Sequence, residues 1–254
     1  MAKNLFFCCL IWLPLKEGEK KMNNELLLIV SVLLIYGGTL LFYKLHDLQG
    51  LYSWTVLATI AANIEVLILI EAFGMEQTLG NVMFASSFLV TDIISEVYGK
   101  KAANKAVNIG IMTSLMFIVV SQLWLLFTPS QNDWAMPSIE AIFSNTPRLM
   151  LVSFAVYAIC QRLDVWLYHK WWEITDKKFK DHRKFLWVRN NGSTLISQLI
   201  NTILFNVGAF GGMYDTKTLI SIIGAGYLIY VVTSIVDTPF VYLARKIADS
   251  KEKK

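Results

Sequence analysis

FASSFLVTDIISEVYGKK, residues 84–101, is apolar enough to lie in a bilayer, yet it carries two carboxylates, Asp92 and Glu96, one helical turn apart. A spacing of four puts both side chains on one face of a helix. A charge at the bilayer centre costs about 3 to 10 kcal/mol or more, so such residues are rare and usually functional. Gly99 suits a helix end, and Lys100 and Lys101 suit both the C-terminal dipole and the cytoplasmic membrane surface. The stretch therefore reads as a membrane helix with chemistry on one face.

The rest of the chain has the same character. Of its 254 residues 55% are hydrophobic and 17% charged, and the mean hydropathy is +0.50; average soluble proteins carry roughly 25% charged residues. Several apolar runs reach the ~20 residues that a bilayer core demands. The fold class expected is an all-α polytopic membrane protein, since lipid offers no partner to open strand edges. The net charge of +4 is no nucleic-acid signal, because the basic residues fall in blocks between apolar spans. Cys8, Cys9 and Cys160 have no paired metal spacing, and neither a disulfide framework nor a metal site is expected.

Seven spans are expected, at residues 26–45, 51–73, 79–98, 103–127, 149–168, 194–212 and 218–244. Sixteen lysines and arginines fall after spans one, three, five and seven, against two, Arg148 and Lys217, on the other side. The positive-inside rule then puts the C-terminus in the cytoplasm. Residues 1–21 fit poorly: FFCCLIWLPL is apolar for only ten residues and is followed by KEGEKK. They are expected to be an upstream extension or a short N-terminal segment, with 22–254 forming a single transmembrane domain. The loop 170–191 is strongly charged and reads as the main cytoplasmic connection, and Asn190 or Ser193 is placed to cap the helix after it.

Polar groups recur inside the spans. Span two carries Asn63 and Glu65 near its middle, span three Asp92 and Glu96, span five Gln161, Arg162 and Asp164, and span seven Asp237 beside Pro239. On span six Thr194, Gln198, Asn201 and Phe205 follow offsets of four, three and four, a polar stripe ending in an aromatic ring. Such groups have plainer roles as well: amides and hydroxyls glue membrane helices together at ~0.5–2 kcal/mol each. Asp164 could pair with Arg162, and Glu96 could be solvated at the inner boundary. Asp92, Glu65 and Asp237 are harder to explain away.

Catalytic signatures are missing. The sequence has no H-E-x-x-H, no G-x-S-x-G and no P-loop, and its three histidines lie at span ends or in loops. Polar groups spread over several helices at similar depth suit a solute pathway better than a reaction centre. No catalytic residue and no cofactor is expected.

Three ordered motifs, FLVTDIISEVYGKKAA, YAICQRLDVWLYHK and NNGSTLISQLINTILFNVGAF, resemble the queuosine precursor transporter family, over roughly residues 52–245. The resemblance implies a six-helix core preceded here by an extra N-terminal helix. It implies uptake of 7-deazaguanine bases across the bacterial cytoplasmic membrane: 7-cyano-7-deazaguanine, its 7-aminomethyl relative, or queuine. The positions matching the motifs are Asp92, Asp164, Ser193, Thr194 and Gln198. Some members carry an aspartate where this chain has Asn201, so a carboxylate mechanism at that position is not implied. A deazaguanine offers N1–H and a 2-amino group, two adjacent donors that suit a carboxylate, and O6, an acceptor that suits an amide or hydroxyl. Asp92, Glu96 or Asp164 would take the donor edge, with Gln198 and Asn201 on the acceptor edge. Asn63, Ser193 and Thr194 complete the expected solute site, and Glu65 and Asp237 are proton- or ion-coupling candidates. Expected partners are the solute and the bilayer, with an energising protein or a second copy left open. Rival readings are transport of another vitamin-like heterocycle, a non-transporting receptor, and an intramembrane enzyme.

Overall fold

The computed structural model describes residues 23–144 and 147–252; the expectation for residues 1–21 lies outside them. The first helix, α1 (Asn24–Glu65), has 42 residues. Straight, it would be about 63 Å long at ~1.5 Å per residue. Yet the Asn24 side chain donates to the Glu71 carbonyl at 2.8 Å, so the helix start lies beside the segment that follows its end. The reversal is at Asp47 (φ 53°, ψ −137°), a residue type that tolerates positive φ. Around the reversal the two halves pack tightly. The Phe42 and Trp54 rings are 5.2 Å apart, and a Cβ on Gly50 would lie 2.1 Å from the Phe42 carbonyl oxygen.

A two-stranded hairpin follows, β1 (Leu69–Ala72) and β2 (Met75–Thr78). Ala72 pairs with Met75, so the loop is the two residues Phe73 and Gly74, both at positive φ. That is the backbone of a twist-matched hairpin turn. The sequence reading ran span two on to Phe73 as helix. The structure ends the helix at Glu65 and turns the last apolar residues into strand, so span two is shorter than expected and one small hairpin is set into the helical architecture. An apolar run this short does not distinguish helix from strand.

Helix α2 (Gly80–Trp124) is broken at Gly99 (φ 80°, ψ 177°), a conformation that favours glycine. Its halves also fold back, since Phe84 before the break and Gly110 after it both meet Tyr157. A short helix, α3 (Met136–Phe143), sits in the following loop, held where Gln122 donates to the Phe143 carbonyl at 3.2 Å. The long helices α4 (Pro147–Phe179), α5 (Leu186–Phe210) and α6 (Thr216–Glu252) complete the fold. Because α5 begins at Leu186, Asn190 and Ser193 lie inside it. The cap position is Phe185, whose side chain makes no capping bond, so neither expected cap forms.

Helices α1, α2, α4, α5 and α6 are each long and apolar enough to cross a membrane. Leu33, Met112, Ile159 and Ile235 on their outer faces are exposed, while Thr55, Ser86, Thr91, Gln161 and Asp164 are buried between helices. This apolar-outside, polar-inside arrangement is that of a multi-pass membrane protein. One end of the bundle carries the hairpin. The other gathers both reversals, the α4–α5 connection and the end of α6. There Tyr43 meets Tyr98, Lys251 pairs with Asp47 and donates to the Lys44 carbonyl at 3.0 Å, and Arg245 donates to the Arg183 carbonyl at 2.8 Å. These are the hairpin end and the basic end.

Candidate functional site

Three carboxylates on three helices are buried between the two ends: Asp92 on α2, Asp164 on α4 and Asp237 on α6. Helix α5 supplies a donor to each. Thr194 Oγ1 donates to Asp92 Oδ2 at 3.2 Å and Ser197 Oγ to Asp164 Oδ1 at 2.8 Å. Asn190 Nδ2 donates to Asp237 Oδ1 at 2.7 Å. Offsets of four and three place the three donors on one face of α5, where they meet the neighbouring helices. Their donors Thr194 and Ser197 are three residues apart on α5, which brings the Asp92 and Asp164 carboxyls to neighbouring positions; only if one is protonated can it donate to the other. Asp92 Oδ1 and Asp164 Oδ2 are buried without a hydrogen-bond partner among the described residues. Buried polar atoms are normally paired, and an unpaired charged one is costlier than a neutral one. The pair thus calls for protons or for a donor-bearing occupant.

Glu96, one turn further along α2, is already engaged. Arg189 grips it twice, Nε to Oε2 at 2.9 Å and Nη2 to Oε1 at 2.7 Å, the fork geometry of a strong ion pair. Tyr168 donates to Oε2 at 2.8 Å and Arg245 Nη1 lies 3.3 Å from Oε1. The Arg189 guanidinium is stacked 4.3 Å from the Trp172 ring centre and gives Nη1 to the Lys184 carbonyl at 2.8 Å. Both Glu96 oxygens therefore have partners. The expectation of a solvated Glu96 is corrected: its side chain is only 4% exposed.

Toward the hairpin end the interior opens into a cavity of about 110 Å³. It narrows to about 40 Å³ and then about 10 Å³ as it passes inward toward Asn63 and Ser114. Asn201, Phe205, Asn81 and Tyr230 line both of the larger chambers. Asn81 Oδ1 accepts from Tyr230 at 3.1 Å and from Thr78 at 3.2 Å.

The structure thus joins Asp92, Asp164, Thr194 and Asp237 in one cluster. It links Gln198 to Asn201, whose Nδ2 donates to Gln198 Oε1 at 3.3 Å. Ser193 is buried, with its hydroxyl on the Arg189 and Asn190 carbonyls of its own helix. Asn63 lies at the narrow end of the cavity, 3.5 Å from Ser114. Glu65 is the last residue of α1, near the hairpin end and not at mid-helix as expected. Arg162 donates to Asn108 at 3.3 Å, so the expected pairing with Asp164 does not form. Ser197, Asn190, Arg189 and Tyr168 were not anticipated as partners. The Ser197 signal was available, since it lies three residues from Thr194 on the same helix.

The model of the family described as "Putative vitamin uptake transporter" matches residues 78–244. The chain belongs to this family. A relative in Bacillus subtilis (strain 168), described as "Probable queuosine precursor transporter", is 37% identical over 214 residues, which cover 84% of this chain and 91% of that protein. No solved structure matches the chain. Within the vitamin-uptake match fall the three carboxylates, their three donors and the Glu96–Arg189 pair, whereas Asn63, Glu65 and the whole of α1 lie before it. The carboxylate cluster therefore belongs to the part of the chain shared with the family, in a multi-pass protein of the cell membrane.

Proposed function

We propose that this chain takes up queuosine precursors, 7-deazaguanine bases such as 7-cyano-7-deazaguanine, its 7-aminomethyl relative or queuine, across the cytoplasmic membrane, without chemical conversion. The observation that carries the reading is the buried Asp92–Asp164 pair, each with one oxygen lacking a donor, beside Thr194 and Ser197. A base edge bearing N1–H and a 2-amino group supplies two adjacent donors to such oxygens. The description of the Bacillus subtilis relative supports the same solute class.

The reading includes topology. Reversals at Asp47 and Gly99 divide two long helices in half, which supports seven crossings. Positive charge concentrated at one end supports a cytoplasmic basic end and C-terminus. Asp92, Asp164, Ser193, Thr194, Gln198, Asn201 and Asn63 form the solute path in this reading. Asp237, held by Asn190, is the coupling candidate whose position fits, while Glu65 stands apart and Glu96 serves to close the basic end.

The test is uptake in cells unable to make their own precursor, read as queuosine in tRNA. Asp92→Asn and Asp164→Asn are expected to cut uptake roughly 10- to 100-fold, the scale of one charged hydrogen bond at about 1.5–3 kcal/mol. Normal uptake by both variants, at normal protein levels, would sink the site assignment. A wild-type chain that restores no queuosine from any of the three bases would sink the function.

A further inference from the structure

The carboxylates do not line the cavity at the hairpin end, and among the described residues no acidic or basic side chain does. Its polar groups are neutral amides and hydroxyls, Gln77, Asn81, Asn201, Asn206 and Thr202 among them, set between Phe205, Phe210, Tyr214 and Tyr230. Gln77, on β2, is 6% exposed, and its Nε2 has no hydrogen-bond partner among the described residues although it borders the cavity. A buried amide N–H₂ left without an acceptor is costly. We propose that this cavity is a second solute site, a reception site for an uncharged planar heterocycle, distinct from the carboxylate cluster and reached before it. The proposal rests on the transport reading above.

Three observations carry it. Amides facing aromatic rings bind a flat, neutral, hydrogen-bonding ring, by edge and by face. With no counter-charge among the described lining residues, a charged solute is penalised for desolvation there and a neutral one is much less so. Finally, α5 connects the two sites by a single stripe: Phe205 and Asn201 in the cavity, Gln198 accepting from Asn201, and Thr194 donating to Asp92. A solute handed from one site to the other stays in contact with polar groups of one helix face.

The experiment measures initial uptake rates of 7-cyano-7-deazaguanine, which is neutral, with equilibrium binding to the purified full chain in lipid nanodiscs. Gln77→Ala and Asn81→Ala are each expected to raise the uptake KM about fivefold, the scale of one neutral hydrogen bond, with Vmax within about twofold. Misfolding would lower Vmax instead, so the two parameters separate the causes. Gly226→Leu, placing a side chain into the cavity from α6, is expected to weaken binding at least about tenfold. Asp92→Asn is expected to lose transport and the binding event at the carboxylates, and to keep the separate event that Gly226→Leu removes. Wild-type import with unchanged KM in both amide variants would overturn the proposal, and so would loss of all binding in Asp92→Asn together with normal binding in Gly226→Leu. A wild-type chain that neither binds nor imports the base would instead overturn the transport reading, and this proposal with it.

Discussion

Replacing Arg189 by methionine removes a buried charge while keeping most of the side-chain stem. In the structure Arg189 is fully buried and Glu96 nearly so. Without the guanidinium, Glu96 keeps Tyr168 at 2.8 Å and the weaker Arg245 contact at 3.3 Å. Removing one partner of a buried ion pair costs roughly 3–5 kcal/mol, because the other charge stays buried. Arg245 shields part of that, so the lower end, about 3 kcal/mol, is expected. At roughly 2–4 °C per kcal/mol for a chain of this size, the melting temperature falls by roughly 6–12 °C. Glu96→Gln should be comparably harmful, since it removes the counter-charge and leaves Arg189 buried among neutral groups, the amide oxygen, the Lys184 carbonyl and the Trp172 ring. The double variant Glu96→Gln/Arg189→Met leaves neither charge, so its loss should be clearly smaller than the sum of the two. The assay is thermal unfolding of the purified protein, followed by intrinsic fluorescence and size exclusion. Melting of Arg189→Met within about 2 °C of the wild type, or a double variant as damaged as the sum, would refute the reasoning.

Two further outcomes follow from local geometry. A Cβ on Gly110 would lie 1.9 Å from the Tyr157 hydroxyl, so Gly110→Ala should destabilise by about 1–3 kcal/mol. Adding Tyr157→Phe should recover part of that loss in the same melting assay; no recovery would place the strain elsewhere. At the start of α6, Asp215 accepts from the Thr218 hydroxyl at 2.5 Å and from the Thr218 and Lys217 amides at 3.2 and 3.0 Å, which hold its carboxyl below the usual range. A lowered folded-state pKa means stability present above the ordinary value and lost as pH falls through the lowered one. Hydrogen exchange at residues 217 and 218 should therefore show the same protection at pH 7 and pH 5, and Asp215→Ala should reduce it at both. Equal protection in the variant would show that the cap contributes nothing.

Much of the fold was legible because bilayer physics is restrictive. Apolar runs and basic blocks located the helices and their reversals, and Gly99 was readable as a helix end. The hairpin was not, because Leu69–Ala72 is too short and too apolar to reveal its period. The one available clue was Gly74, which with Phe73 forms a two-residue turn at positive φ. In the site, Asp92, Asp164 and Thr194 stood out as polar groups in apolar surroundings. Their partners did not. Arg189 looked like one more basic residue of a charged loop, and its contact with Glu96 spans 93 positions in sequence. Asn190 looked like a cap because the first turns of α5 are polar. They are polar because they are buried against carboxylates, and only the packing of α5 on α2 and α6 reveals that.

That packing also ties the two devices of the interior together. Glu96 and Asp92 are one turn apart on α2, and their partners Arg189 and Thr194 lie between one and two turns apart on α5. The ion pair that closes the basic end and the hydrogen bond that orients the carboxylate therefore bridge the same two helices. A shift of the first turns of α5 away from α2, large enough to part Arg189 from Glu96, also lengthens the Thr194–Asp92 contact of 3.2 Å. In the proposed reading, occupancy of the carboxylates and closure of the basic end are linked through the geometry of α5 on α2. Alternating access demands such a link, since an interior that stayed open at both ends would leak. Under the proposed transport function, the cavity at the hairpin end and the Glu96–Arg189 pair at the basic end are the two halves of such an arrangement in one conformation.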